Sequence, residues 1–154
     1  MKTYKSLFNE KWYIGDIVSL KEKAFFSCDE TLDHVSSAWY DIYLNNPRRK
    51  IGSIDLRLTM NERMYYYGHV GYHIRESFRG HRYASLACEL LFEIAKEIFS
   101  MNELIITCNP DNYASRKTLE LVGAKLEKIV DVPVNHELNY LEHETQKCIY
   151  RVKL

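Results

Sequence analysis

The stretch Gly71-Tyr72-His73-Ile74-Arg75-Glu76-Ser77-Phe78-Arg79-Gly80-His81-Arg82-Tyr83-Ala84 holds the residues best suited to binding an anion. A β-favouring run stops at Ile74, a short loop carries Arg79-Gly80, and helical periodicity begins at once. The first N–H groups of a helix have no partner inside it, and the helix dipole adds partial positive charge there. A phosphate or pyrophosphate suits such an entrance. Gly80 removes a side chain where backbone and anion approach closely, and Arg75, Arg79 and Arg82 add positive charge around the same point. The same residues also fit an ordinary strand-to-helix turn with solvated arginines. A second helix entrance, Asn109-Pro110-Asp111-Asn112-Tyr113-Ala114-Ser115, follows the next strand, with Asn112 as its natural cap. Alone it is a common capping arrangement. Two entrances on consecutive strands of one sheet lie side by side at the strands' carboxyl ends, however, and α/β sheets bind ligands there.

Other reactive side chains lead less far. His69 and His73 stand four apart on a strand, about 13 Å by strand rise, too far to share one ion, so no metal site is expected. Cys28, Cys88, Cys108 and Cys148 are widely spaced, without a CxxC pair, and read as reduced, mostly buried thiols. Cys88 falls inside a long helix and Cys108 ends a strand, so neither is placed as a catalytic nucleophile. Arg48-Arg49-Lys50 reads as a solvated hairpin tip, not a nucleic-acid contact.

The elements that must position these residues follow from periodicity. Asp16–Phe26 is β-favouring but alternates poorly. Ala38–Leu44 and Lys50–Thr59 flank the turn Asn45-Asn46-Pro47-Arg48-Arg49 and predict a hairpin. Met60–Arg63 turns again, and Tyr65–Ile74 reads as an aromatic-rich strand. Arg82–Ser100 places Tyr83, Ala87, Leu90, Leu91, Ile94 and Ile98 at helical spacing. Leu104–Cys108 is a short apolar run of the kind a buried strand shows. A second helix begins after Asn112 and ends at Gly123, and strands near Lys125–Val132 and Gln146–Val152 close the chain around a polar loop, Asn135–Glu144. The strand, helix and strand at the centre form a right-handed crossover if the two strands are parallel neighbours.

With 154 residues the chain reads as one domain spanning 1–154. Its 21 basic and 21 acidic residues cancel, which argues against a broad electrostatic grip on nucleic acid or an anionic membrane. No apolar run reaches the roughly 18–20 residues of a membrane helix, and no export signal is seen, so a cytoplasmic location is expected.

Three pieces, in order and at matching spacing, resemble the GNAT acetyltransferase superfamily, particularly the branch of ribosomal-protein alanine acetyltransferases. They are Gly71-Tyr72-His73-Ile74, the loop Arg79-Gly80-His81-Arg82-Tyr83-Ala84, and Asn112-Tyr113-Ala114-Ser115 running through to Gly123-Ala124. The resemblance covers roughly Ile51–Val132. It implies a mixed α/β fold, α+β-like: the GNAT acyl-CoA N-acyltransferase fold, with a mostly antiparallel central sheet, a splayed parallel strand pair and flanking helices. It also implies an acetyl-CoA-dependent N-acetyltransferase whose amine acceptor attacks the thioester directly. Backbone groups of Tyr72, His73 and Ile74 would pair with the pantetheine. N–H groups of Arg79, Gly80, His81, Arg82, Tyr83 and Ala84 would cradle the pyrophosphate, and Asn112, with Ser115 nearby, would contact the pantetheine from the facing helix.

The chain departs from the family pattern at three positions. Arg82 stands where the loop usually carries glycine. Leu119 stands where many members carry a tyrosine that protonates the leaving thiolate. His69 stands where the branch often has a glutamate, and an imidazole that titrates near neutrality makes it the candidate general base, with Glu62 as runner-up. The acceptor would be a small-molecule or peptide amine. Met1–Asp33 shows no clear pair of amphipathic helices, so the acceptor site is open or is completed by a second copy in a homodimer. Tyr65-Tyr66-Tyr67 could line it, and His136, Glu137, Glu142 and His143 could steer a cationic amine. The alternative is a non-catalytic acyl-CoA-binding or protein-interaction module on the same fold.

Overall fold

Alternating apolar residues and short turns lay the chain into two sheets. The computed structural model describes residues 2–5, 10–31 and 33–154, the first four as backbone only. In chain order the strands and helices are β1 (Lys2–Lys5), β2 (Lys11–Ile14), β3 (Val18–Phe26), β4 (Ser37–Asn45), β5 (Arg48–Arg57), β6 (Val70–Ile74), α1 (Tyr83–Glu97), β7 (Glu103–Cys108), α2 (Tyr113–Leu121), β8 (Lys125–Asp131), a one-turn α3 (Glu137–Tyr140) and β9 (Gln146–Lys153). One sheet has the order β1-β2-β3-β4-β5-β6 and the other β7-β9-β8. Every paired neighbour within them is antiparallel.

The sheets meet at β6 and β7, which α1 joins in a crossover. These two strands form the splayed pair: an isolated bridge between Gly68 and Ile106 touches them at one end, and no ladder follows among the described residues. Helix α1 packs its apolar stripe of Ala87, Cys88, Leu91, Ile94 and Ala95 against the sheet. Ile54 and Leu56 of β5 alternate inward with Val70 and Ile74 of β6 in the same core. A fully buried aliphatic side chain contributes about 1.5–3 kcal/mol, so this stripe fixes where the first turn of α1 sits relative to the end of β6.

Three local expectations change. The aromatic run of Tyr65–Ile74 is not one strand: Met64–Tyr66 is a turn of 3-10 helix, and β6 begins at Val70. Asn61 drives this, its Oδ1 accepting from Met64 N at 2.9 Å and its carbonyl from Tyr65 N at 3.0 Å. The Met64 side chain is thereby buried, which an extended path would not achieve. Second, the N-terminal segment builds two short strands, β1 and β2, with Tyr13 of β2 fully buried edge-on to Tyr40 at 5.9 Å. Third, the hairpin tip is less solvated than its charges suggest. Arg48 lies over the Trp12 ring at 4.8 Å and Lys50 pairs with Asp41 at 2.8 Å.

Cys88, Cys108 and Cys148 are buried, Cys28 is exposed, and all four are free thiols. Burial pushes the Cys88 thiol up to about 12 and the Cys108 thiol up to about 11. No helix among the described residues is long and apolar enough to cross a membrane.

Candidate active site

The open edge of β6 is the first element of the site. This strand pairs with β5 on one side only, so from Val70 to Ile74 the backbone groups facing β7 are free of any ladder among the described residues. Such an edge can accept an extended chain of amides as an added strand. The gap is closed at its base by several short bonds. His69 N donates to Ile105 O at 2.7 Å, Ile105 N donates to His69 Nδ1 at 2.9 Å, and Thr107 Oγ1 donates to Tyr66 O at 2.8 Å.

The floor of the gap is joined across the two sheets as well. Tyr72 Oη and Ser115 Oγ lie 2.6 Å apart, tying β6 to the first turn of α2. Burial pushes the Tyr72 phenol up to about 12, so it stays protonated. The α2 entrance is capped from within, since Asn112 Oδ1 accepts from Ser115 N at 3.1 Å. Asn112 keeps its amide nitrogen for any further contact.

The α1 entrance is built differently. No side chain caps it. Gly80 takes φ +85°, and Arg82, the N-cap, takes φ 63° and ψ 18°. Both lie in the left-handed region that costs a non-glycine residue about 1–2 kcal/mol. The backbone at position 82 thus keeps a glycine-like turn despite its arginine, held by Ser85 Oγ and Leu86 N, which donate to Arg82 O at 2.7 and 3.2 Å. The Arg82 side chain is exposed, and His81 stacks on Tyr83 with ring centroids 5.3 Å apart. The other arginines fold back onto strand ends. Arg79 Nε donates to Ile74 O at 2.9 Å, and Arg75 donates to Lys50 O at 3.1 Å. Of the three arginines expected around this entrance, Arg82 alone makes no such side-chain bond to a strand end. An ideal Cβ on Gly80 would meet nothing within 4 Å, which leaves open space beside the uncapped N–H groups.

The fold that holds this strand pair is matched by the wider comparison. Residues 15–125 match the family model of the acetyltransferase (GNAT) domain. The chain belongs to the GNAT acetyltransferase family. Among solved structures it is similar to the ribosomal-protein-S5-alanine acetyltransferase of Vibrio fischeri, at 16% identity and TM-score 0.60, over 76% of this chain and 61% of that one. A protein of Vibrio cholerae assigned as a ribosomal-protein-serine acetyltransferase is similar over 93% of this chain and 97% of its own, at 12% identity and TM-score 0.64. The microcin C7 self-immunity acetyltransferase, solved with acetyl-CoA and AMP, is similar at 17% identity and TM-score 0.57, over 77% of this chain and 61% of that one. The chain therefore spans less than two thirds of the length of two of these relatives. No curated protein matches the sequence.

The segment joining β5 to β6 and the loop around α3 flank an opening of their own. A cleft of about 530 Å³ is lined there by Asp33, His34, Glu62, Arg63, Tyr66 and His136, with Glu137 at its rim. The groups expected to steer an amine are largely engaged. Arg63 pairs with both Asp33 and Glu137, and Tyr67 Oη donates to Glu137 at 2.8 Å. Burial opposes ionisation of Glu137, yet the bonds from Arg63 and Tyr67 outweigh it and hold the carboxyl down at about 2. His136 bonds Arg63 O at 2.8 Å and accepts from Leu138 N at 3.2 Å. These contacts pin the late loop onto the β5–β6 connection. Of the Tyr65–Tyr67 run, Tyr66 lines the cleft and Tyr67 anchors that loop.

His69, the expected general base, is committed as an acceptor. Its Nδ1 receives the Ile105 N–H, which places the ring proton on Nε2, and burial lowers its affinity for a second proton. The ring therefore clamps β6 to β7 and offers no free lone pair to an incoming ammonium. Leu119 is fully buried in the core, and no acid stands in its place. Two residues beside this site escaped sequence reasoning. Asp55 is 6% exposed on β5, opposite Gly71 of β6, and Arg57 reaches it at 3.3 Å. Their only sequence signal was a charge set inside the apolar run Ile54-Asp55-Leu56.

Proposed function

We propose that this chain is an acetyl-CoA-dependent N-acetyltransferase that moves the acetyl group to a primary amine by direct attack on the thioester. The observation that carries this reading is the free edge of β6 leading into the uncapped left-handed turn at Gly80 and Arg82. Acetyl-CoA supplies the activated acyl group. The chain's own groups would bind and orient it: Tyr72, His73 and Ile74 through their backbone, and Arg79 to Ala84 through the N–H groups of the α1 entrance. Asn112 would reach the pantetheine through its free amide nitrogen, while Ser115 positions Tyr72. The microcin C7 self-immunity relative, solved with acetyl-CoA, supports this choice of co-substrate. The ribosomal-protein relatives favour a peptide amino terminus as acceptor, and a small-molecule amine is the other class.

The alternative is a module that binds acyl-CoA or another protein without turnover, favoured by the buried leucine at position 119. Mass spectrometry separates the two. Incubation with acetyl-CoA and a panel of peptides and polyamines should add one acetyl group to at least one amine. Binding of acetyl-CoA with no acetylated amine in the panel would favour the module.

A further inference from the structure

We propose that Asp55, on the neighbouring strand, is the general base that takes the proton from the acceptor amine, reaching the reacting edge because Gly71 has no side chain. The inference rests on the amine-transfer reading above. Asp55 and Gly71 are register partners, and Asp55 Oδ1 lies 2.6 Å from where a Gly71 Cβ would stand. Any other residue at 71 would push the carboxyl away. With glycine there, the carboxyl lies against the β6 backbone at Gly71, beside the Arg57 guanidinium. The carboxyl is nine-tenths buried, and Oδ2 has no hydrogen-bond partner; Arg57 approaches it at 3.3 Å without a bonding alignment. A buried carboxylate oxygen that has an ion-pair partner but no hydrogen bond keeps a lone pair for an arriving donor.

A cavity opens on the same face at Arg57, the ion-pair partner of Asp55. This cavity, of about 320 Å³, is lined by Ser37, Trp39, Arg57 and Met64 among others. Trp39 is the partner of Asp55 across β4, and Ser37 the partner of Arg57. The charged and titratable groups around Asp55 are Arg57 on its own strand, His73 of β6 and His69 just before that strand, which stand two residues either side of Gly71. Trp39 faces it from β4. Arg57 is held in place by donating to Gly68 O at 3.0 Å, at the bridge that closes the gap. Burial pushes the Asp55 carboxyl up to about 6, against the pull of Arg57. A base poised there is ionised at neutral pH and still accepts a proton readily.

The step balances as follows. The acceptor arrives as an ammonium and gives one proton to Asp55. Its nitrogen lone pair attacks the thioester carbonyl carbon, the C–N bond forms, and the C–S bond breaks with its electron pair staying on sulfur. The second proton on nitrogen passes to that thiolate through solvent, and Asp55 returns its proton to water.

The test follows thiol release from acetyl-CoA with alanine-initiated and serine-initiated peptides and spermidine, in wild type, Asp55→Asn and Gly71→Ala. In wild type, kcat/KM should fall below a bend near pH 6. Asp55→Asn should lower kcat about 100-fold, remove that bend and leave acetyl-CoA affinity within about twofold. Gly71→Ala should also lower kcat, and it keeps the proposal testable should the Asn variant fail to fold. Retention of wild-type kcat and of the bend in Asp55→Asn would overturn the assignment while leaving amine transfer intact. Thiol release absent from wild type itself, with acetyl-CoA bound, would overturn the transfer reading and this inference with it.

Discussion

The entrances of α1 and α2 open the same gap from two sheets, yet they treat their orphan N–H groups in opposite ways. At α2 the chain supplies its own acceptor, Asn112 Oδ1 on Ser115 N at 3.1 Å, and Ser115 then bonds Tyr72. At α1 there is no side-chain cap, and two left-handed residues, Gly80 and Arg82, flank His81. The first arrangement stabilises the helix locally. The second has no side-chain cap and holds Arg82 in a conformation that arginine disfavours, which fits the proposed pyrophosphate turn. The contrast teaches that helix entrances of similar sequence value divide into one that completes itself and one left uncapped, as the proposed anion site requires.

The sharpest way to break this contrast is Gly80→Val. A β-branched side chain at φ +85° costs about 1–3 kcal/mol wherever the turn must be kept, so acetyl-CoA affinity measured by calorimetry should weaken roughly tenfold or more. Unchanged affinity would mean that the α1 turn does not hold the pyrophosphate. The matching change at the other entrance, Asn112→Ala, should cost about 1 kcal/mol of stability in chemical denaturation through loss of the cap. A null result there would make the two entrances equivalent. Smaller again is Arg82→Gly. Relief of about 1–2 kcal/mol of left-handed strain is offset by about 0.5–1 kcal/mol of glycine entropy, so the denaturation midpoint should barely move. Binding should nonetheless weaken with loss of the guanidinium, and more so at low salt than at high.

The smallest effect lies at the cleft beside the β5–β6 connection, where pairing replaces strain. Glu137 is held down at about 2 from an ordinary 4.5, so the folded state favours its charged form. Its contribution to stability is complete above about pH 4.5 and fades as pH falls toward 2. Comparing Glu137→Gln with wild type by thermal unfolding at pH 7 and pH 3 should show the difference shrinking at the lower pH. A constant difference would remove the ion pairs with Arg63 from the account.

Much of this arrangement was legible in the sequence because it depends on local signals. The 3.6-residue spacing of Leu91 and Ile94, the apolar run Leu104–Cys108, the Asn112 cap and the Gly123 stop each report one element, and the order of the elements sets the gap. What was illegible depends on partners distant in the chain. His69 looks like a free imidazole until Ile105, 36 residues away, donates to its Nδ1. His136 and Glu137 look like a steering pair until Arg63 and Tyr67 take them. Tyr65–Tyr67 has β-favouring residues throughout, and only Asn61 and the burial of Met64 turn it into a helix. Asp55 stayed hidden for the complementary reason, since its reach is decided by an absent side chain on the next strand.

The measurement that tests the central claim most directly is a thermal-shift titration of the protein with acetyl-CoA, with CoA and ATP as comparisons. A ligand that binds only the folded state, at about a hundred times its dissociation constant, stabilises by about 2.7 kcal/mol. A clear rise with acetyl-CoA and CoA, and little with ATP, is the expected result, because both the free β6 edge and the α1 turn must be engaged. No rise with either CoA species would contradict the account of the gap as an acyl-CoA site.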